Sequence, residues 1–230
     1  MKLSIFFVIL LFSSSFFSQT VSPRNDTQFW NETQLIVPLI KAKDSNNKEF
    51  DRVSLLINGT MRVGQNWQQL VDERIGFGFD FKVNKFLTLS PAYLYRADQP
   101  YQGKSERESR LRFAVSLEKK FDKFSLKNRN LIERRFRYRN VGDSTRYRNK
   151  LLFAIPVLKN KKELFSPFIA DEVFYDFSAK KWTRNELSIG ITKKFTNNFS
   201  ADFFYLYQRN TGNILKNINA LGINFKIKID

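Results

Sequence analysis

Between Glu106 and Glu118 the chain places Glu106, Glu108, Arg110, Arg112, Ala114, Ser116 and Glu118 on alternate positions, with Arg107, Ser109, Leu111, Phe113, Val115 and Leu117 between them. A strand built from this segment shows one charged face and one largely apolar face. The next segment repeats the pattern. Lys127, Arg129, Glu133 and Arg135 share one parity, Phe124, Leu126, Ile132, Phe136 and Tyr138 the other, and only Leu131 and Arg134 sit on the wrong side. Guanidinium forks at this spacing do one of two things: they pair with carboxylates in two-pronged hydrogen bonds, or they hold an anion.

Other chemistry is restricted by what the chain lacks. There is no histidine and no cysteine, which removes the imidazole base of serine hydrolases, thiolate metal sites and disulfides. The remaining catalytic options are carboxylates, Tyr, Lys or a Ser-Lys pair. Asp171 and Glu172, adjacent in a strand, point to opposite faces and form no acid-base couple. The reading is therefore non-enzymatic, with no cofactor and no metal. The Gly-Phe-Gly at Gly76 to Gly78 lacks the following helix of a phosphate loop and fits a crowded sheet face instead.

The segments that carry these charges are long and two-faced throughout. About eleven can be read, the first running from Gln28 to Leu39 and the last alternating from Leu221 to Ile229. Arg52, Ser54, Asn58, Thr60 and Arg62 oppose Val53, Leu55, Ile57, Met61 and Val63, with Leu56 interrupting the polar face. Arg74, Gly76, Gly78 and Asp80 oppose Ile75, Phe77, Phe79 and Phe81. Arg146, Arg148 and Lys150 oppose Tyr147 and Leu151, and Arg184, Glu186 and Ser188 oppose Leu187, Ile189 and Ile191. Pro91 fits only where its missing donor does not break a ladder.

Alternation beyond about ten residues suits a tilted membrane strand better than a soluble one. Tight connections near 83–86, 121–123 and 196–198 interleave with looser ones at 98–104, 140–144 and 209–216, the rhythm of periplasmic turns and outer loops. Aromatic residues cluster toward segment ends at Trp30, Trp67, Tyr93, Tyr95, Tyr101, Tyr138, Tyr147, Trp182, Tyr205 and Tyr207, where interfacial girdles lie. At the start, Lys2, the apolar run from Leu3 to Phe12 and the Ser/Phe stretch to Ser18 read as a cleaved export signal over residues 1–18. Residues 19–230 then form one domain. The formal net charge of +17 for the whole chain would suggest nucleic acid in a cytosolic protein, but export and strand parity fit a solvated surface or a lumen better.

The expected fold is all-β: a transmembrane antiparallel up-and-down barrel of ten to twelve strands, twelve favoured because bacterial barrels are customarily even. Trp30 and Glu32, the Lys127, Arg129, Glu133, Arg135 strand, the Arg146 and Arg148 pair, the Asp171 and Glu172 doublet and the Arg184 strand together resemble the outer-membrane barrel family designated domain of unknown function 2490. The resemblance implies location in the bacterial outer membrane and a barrel fold, without a reaction. Membrane lipid, lipopolysaccharide and the barrel-insertion machinery are the expected partners, and nucleic acid is not.

Inward-facing charge would then comprise Arg110, Arg112, Arg129, Glu133, Arg135, Arg146, Arg148, Glu172, Arg184 and Glu186. The main expectation is a structural barrel whose lumen is filled by salt bridges. The alternatives are a narrow anion-selective pore or a barrel binding small anionic solutes, and a soluble exported β-sheet binding protein.

Overall fold

Period-two alternation becomes twelve strands in a computed structural model that describes residues 24–44, 47, 49–101, 104–138, 142–160, 162–211 and 215–229. The expected export signal, residues 1–18, lies outside the described residues. In chain order the strands are β1 (Asn25–Lys43), β2 (Glu49–Gly64), β3 (Gln69–Lys82), β4 (Leu87–Tyr101), β5 (Lys104–Lys120) and β6 (Ser125–Tyr138). They continue as β7 (Ser144–Ala154), β8 (Val157–Lys159), β9 (Lys162–Asp176), β10 (Lys181–Lys194), β11 (Phe199–Asn210) and β12 (Asn217–Lys228).

Eleven of these strands close one barrel; the short β8 pairs only with the start of β9. Pro156 separates β7 from β8, and its missing N–H accounts for the break in what is otherwise one edge alongside β9. An odd number of up-and-down strands leaves the first and last running the same way. The seam between β1 and β12 is accordingly parallel, in register from Asn25 opposite Asn217 to Ile36 opposite Lys228. Every other junction in the ring is antiparallel. Asn31 Nδ2 donates to the Ile223 carbonyl across the seam, at 2.8 Å. Because the count is odd, the start of β1 and the end of β12 lie on opposite rims, here called the N-terminal and C-terminal rims.

Strand parity divides the side chains cleanly. Ile75, Leu111, Phe113, Ile132, Ile189 and Leu221 are about half exposed or more, on the outside. Glu108, Arg110, Leu131, Glu133, Glu172 and Gln208 are buried within. Leu131 and Arg134, the two residues that break their segment's pattern, do so in place: Leu131 is packed inside and Arg134 projects outward, bonding Thr145 and Asp143. An apolar outer face around a charged interior inverts a soluble protein and suits a hydrocarbon surrounding.

Pro91 sits where a ladder is already open. The β3–β4 pairing is interrupted, without a change of register, between Gly78–Ala92 and Phe81–Leu89, whereas β4–β5 pairing runs through Pro91 opposite Phe113. Ser90 Oγ spans the gap to Asp80 at 2.5 Å. Inward glycines mark close approach: an added Cβ on Gly222 would meet the Phe204 ring lying across it, so any larger residue would have to displace that ring.

Two sequence expectations need correction. The segment 98–104 is not a loop, since β4 runs to Tyr101 and β5 starts at Lys104, which puts Asp98 in a strand facing inward. Trp30 belongs to no girdle: its parity turns it inside, where it is 5 % exposed. Trp67, Tyr95, Tyr138, Tyr147, Tyr175, Trp182 and Tyr207 gather toward the N-terminal rim. Phe81, Phe86, Phe121, Phe124, Phe195 and Phe199 occupy the other. Each set packs on itself, as in the Tyr175–Trp182 and Phe121–Phe124 contacts at 5.3 and 4.5 Å between ring centroids.

Candidate functional site

Most of the inward charges toward the N-terminal rim form one connected network whose hubs are carboxylates, with a separate pair on β10. On β3, Asp72 takes a two-pronged contact from Arg74 of its own strand, at 2.8 and 2.6 Å, and two more hydrogen bonds from Arg96 of β4 at 3.0 and 2.7 Å. Arg96 also reaches Asp98 at 2.8 Å and Glu108 of β5 at 3.1 Å. Glu108 is bonded in turn by Arg110 and by Arg135 of β6, the latter through Nε at 2.9 Å.

Deeper in the barrel, Glu133 of β6 is fully buried and faces four guanidinium groups. Arg146 of β7 donates through Nε at 2.6 Å, while Arg110, Arg148 and Arg112 approach to 3.5, 3.8 and 4.0 Å. Glu172 of β9 receives Arg148 at 2.8 and 2.7 Å and Arg129 at 3.0 Å. Glu186 of β10 meets Arg184 at 3.4 Å, and Arg184 Nε donates to the Asn210 side chain at 2.9 Å. The Phe174 ring, itself buried, lies under Arg146, Arg148 and Arg184 at 5.1, 4.6 and 5.4 Å. Its quadrupole supports cations that carboxylates only partly neutralise.

Register explains why the network is diagonal. Arg110 lies directly opposite Arg135, and Arg74 directly opposite Arg96. Direct pairs of like charge repel. A carboxylate two residues along the same strand sits between each pair, so Glu108 neutralises the first and Asp72 the second. Charges this deep are stable only while paired, and removing one partner leaves an expensive bare ion.

Toward the N-terminal rim these side chains surround a cavity of about 470 Å³ to which all eleven barrel strands contribute lining residues. Nine arginines and five carboxylates line it. Below it Leu94, Leu131, Leu206, Ala170 and Ala220 face inward and are buried.

All ten residues singled out in the sequence face this interior. Arg110, Arg129, Glu133, Arg135, Arg146, Arg148 and Glu172 belong to the linked hubs, Arg184 and Glu186 to the pair on β10, and Arg112 approaches Glu133 with its Nε lacking a hydrogen-bond partner. Asp171 points outward to Asn185 while Glu172 points in, so the doublet is split as its parity requires. The candidate set read from the sequence does not include the Asp72, Arg74, Arg96 and Asp98 cluster, the Arg62–Trp30 stack or the Phe174 platform. Asp72 and Arg74 share the inward parity of β3 and were findable on that signal, whereas Phe174 reads in sequence as one more apolar residue.

A family model described as "Protein of unknown function (DUF2490)" matches residues 27–218. Among solved structures, the fold is similar to LpxR from Salmonella typhimurium at 8% identity and TM-score 0.44, over 78% of this chain and 83% of that one. It is also similar to the beta domain of the Bordetella autotransporter BrkA at 11% identity and TM-score 0.47, over 87% and 96% of the two chains. No curated protein matches in sequence.

Proposed function

We propose that this chain, which belongs to the DUF2490 family, is an integral outer-membrane barrel whose own charges close its lumen, leaving a basic vestibule at one mouth. The observation that carries this reading is Glu133, fully buried and faced by four arginines in the barrel interior, with a layer of buried leucine and alanine side chains beside it. Guanidinium groups held by carboxylates fill space that water and ions would otherwise occupy.

Membrane placement is supported by the solvent-facing side chains: an isoleucine, leucine and phenylalanine belt on all sides far exceeds what a soluble monomer exposes. Strands of eleven to nineteen residues in the closed ring are long enough to cross. In this reading the C-terminal rim faces the periplasm, and the vestibule opens outward to lipopolysaccharide and external solutes. The barrel does no catalysis, and it reaches its membrane through the barrel-insertion machinery.

A second reading, a narrow anion-selective pore, draws on the excess of arginine over carboxylate around the cavity. Fractionation and planar-bilayer recording separate the possibilities. The barrel reading expects outer-membrane recovery with heat-modifiable gel migration and no steady conductance. Soluble periplasmic recovery without detergent would overturn the membrane placement, and anion-selective channels would favour the pore.

A further inference from the structure

Not every arginine of the vestibule is used up by the network. Arg74 and Arg96 are held by Asp72, Arg110 and Arg135 by Glu108, Arg146 by Glu133, and Arg148 by Glu172. Three others are under-paired among the described residues. Arg62 comes no closer than 3.9 Å to a carboxylate oxygen, and its Nε has no partner. Arg137 likewise stands 3.9 Å from Glu108 with an unpartnered Nε, giving one hydrogen bond to the Ser144 hydroxyl at 3.0 Å. Arg184 reaches a single carboxylate, at 3.4 Å.

These three line the same cavity, from β2, β6 and β10. Around the ring of eleven strands they are spaced by four, three and four. They therefore enter the vestibule from three sides. Arg62 is also held in position before any ligand arrives: its guanidinium lies 3.4 Å from the centroid of the Trp30 ring. Trp30 Nε1 donates to Gln28 at 2.6 Å, and Gln28 donates to Asp26 at 2.7 Å. A guanidinium mostly withdrawn from water and this far from a carboxylate carries an uncompensated desolvation cost, which an incoming anion would offset.

We propose that Arg62, Arg137 and Arg184 form a binding site for a phosphate group in the vestibule. A phosphate monoester fits this arrangement better than a carboxylate, because it presents three free oxygens and up to two negative charges to three planar forks. The group could be carried by a free phosphorylated solute or by the phosphate of a lipid headgroup at the outer mouth, and both offer the same oxygens. The site rests on the proposed vestibule but not on the lumen being closed beneath it.

Trp30 supplies the readout. In refolded protein carrying Trp67→Phe and Trp182→Phe, Trp30 is the sole tryptophan, and its emission is followed while inorganic phosphate replaces chloride at constant ionic strength. A saturable change is expected, weakened about tenfold or more by Arg184→Gln or Arg137→Gln, neither of which touches Trp30, as for loss of a charge-assisted hydrogen bond. Arg52→Gln, toward the opposite rim, should leave the titration unchanged. Glucose 6-phosphate and detergent-dispersed lipopolysaccharide, titrated separately, tell a solute from a lipid source. Should the arginine variants fail to fold, phosphate must still raise the urea midpoint of the unaltered barrel, because a ligand of the folded state stabilises it. Emission and midpoint both indifferent to phosphate, or binding that ignores the Arg137 and Arg184 changes, would overturn the site. Conductance of the same preparation is independent: open channels would sink the closed lumen while leaving a positive titration standing.

Discussion

Glu172 and Glu186 face each other directly across the β9–β10 ladder, both buried, and each is turned to arginines of its own. Arg148 and Arg129 hold Glu172, while Arg184 alone reaches Glu186. The two carboxylates thus differ in how much depends on them, although register makes them neighbours.

Arg148→Gln removes the strongest partner of Glu172 and one of the four cations around Glu133, and it vacates one face of Phe174. The expected loss is about 3 to 5 kcal/mol, the cost of breaking a buried pair. Glu186→Gln takes away the single carboxylate that Arg184 reaches but also relieves the direct like-charge contact with Glu172, so its cost should be clearly smaller than that of Arg148→Gln. Urea unfolding of both variants in lipid vesicles checks the ranking, and equal losses would show that the network does not depend on Arg148 as the link between Glu133 and Glu172.

The outward parity of β5 is tested by charge. Phe113 is exposed on the apolar outer face, whereas Ser116 faces inward. Phe113→Arg should cost about 2 to 4 kcal/mol if the position lies near the bilayer middle. Ser116→Asn should cost clearly less. Cysteine variants labelled from within the lipid at position 113, and not at 110 or 112, would agree; the reverse labelling would mean the sheet is inside out.

Asp26 does a different job at the N-terminal rim. Its carboxylate accepts from the backbone N–H groups of Gln65 and Asn66, both at 3.0 Å. Gln65, Asn66 and Trp67 are all left-handed, with φ of 52°, 57° and 71°. Three such residues in a row are strained without glycine, and Asp26 holds them. Asp26→Ala should cost about 1.5 to 3 kcal/mol, the range for hydrogen bonds to a charged group. It should also open the β2–β3 turn to protease. Unchanged stability and cleavage would mean the turn holds itself.

The parity of nearly every strand was legible in the sequence because a barrel with a charged interior imposes a strict period of two on long segments. Even the exceptions obey it: Leu131 and Arg134 break the hydropathy pattern but keep their geometric side. Eleven segments were legible as well. What the custom of even strand numbers obscures is that an odd ring closes by a parallel β1–β12 seam, since no single segment announces the direction of its distant partner. Pairing across strands was also hidden. Arg110 lies opposite Arg135, and the sequence offers no sign that Glu108, two residues away, neutralises both. Trp30 shows the limit of reading type without parity, as its indole suggests an interface while its even position places it under Arg62.

The closed lumen is tested most directly by single-channel recording of the refolded barrel in planar bilayers, alongside Glu133→Gln. The unaltered protein should give a quiet baseline. Glu133→Gln, which leaves Arg110, Arg112, Arg146 and Arg148 around a neutral amide, should destabilise the barrel by about 3 to 5 kcal/mol and introduce a leak. Steady, anion-selective openings from the unaltered protein would contradict the closed lumen.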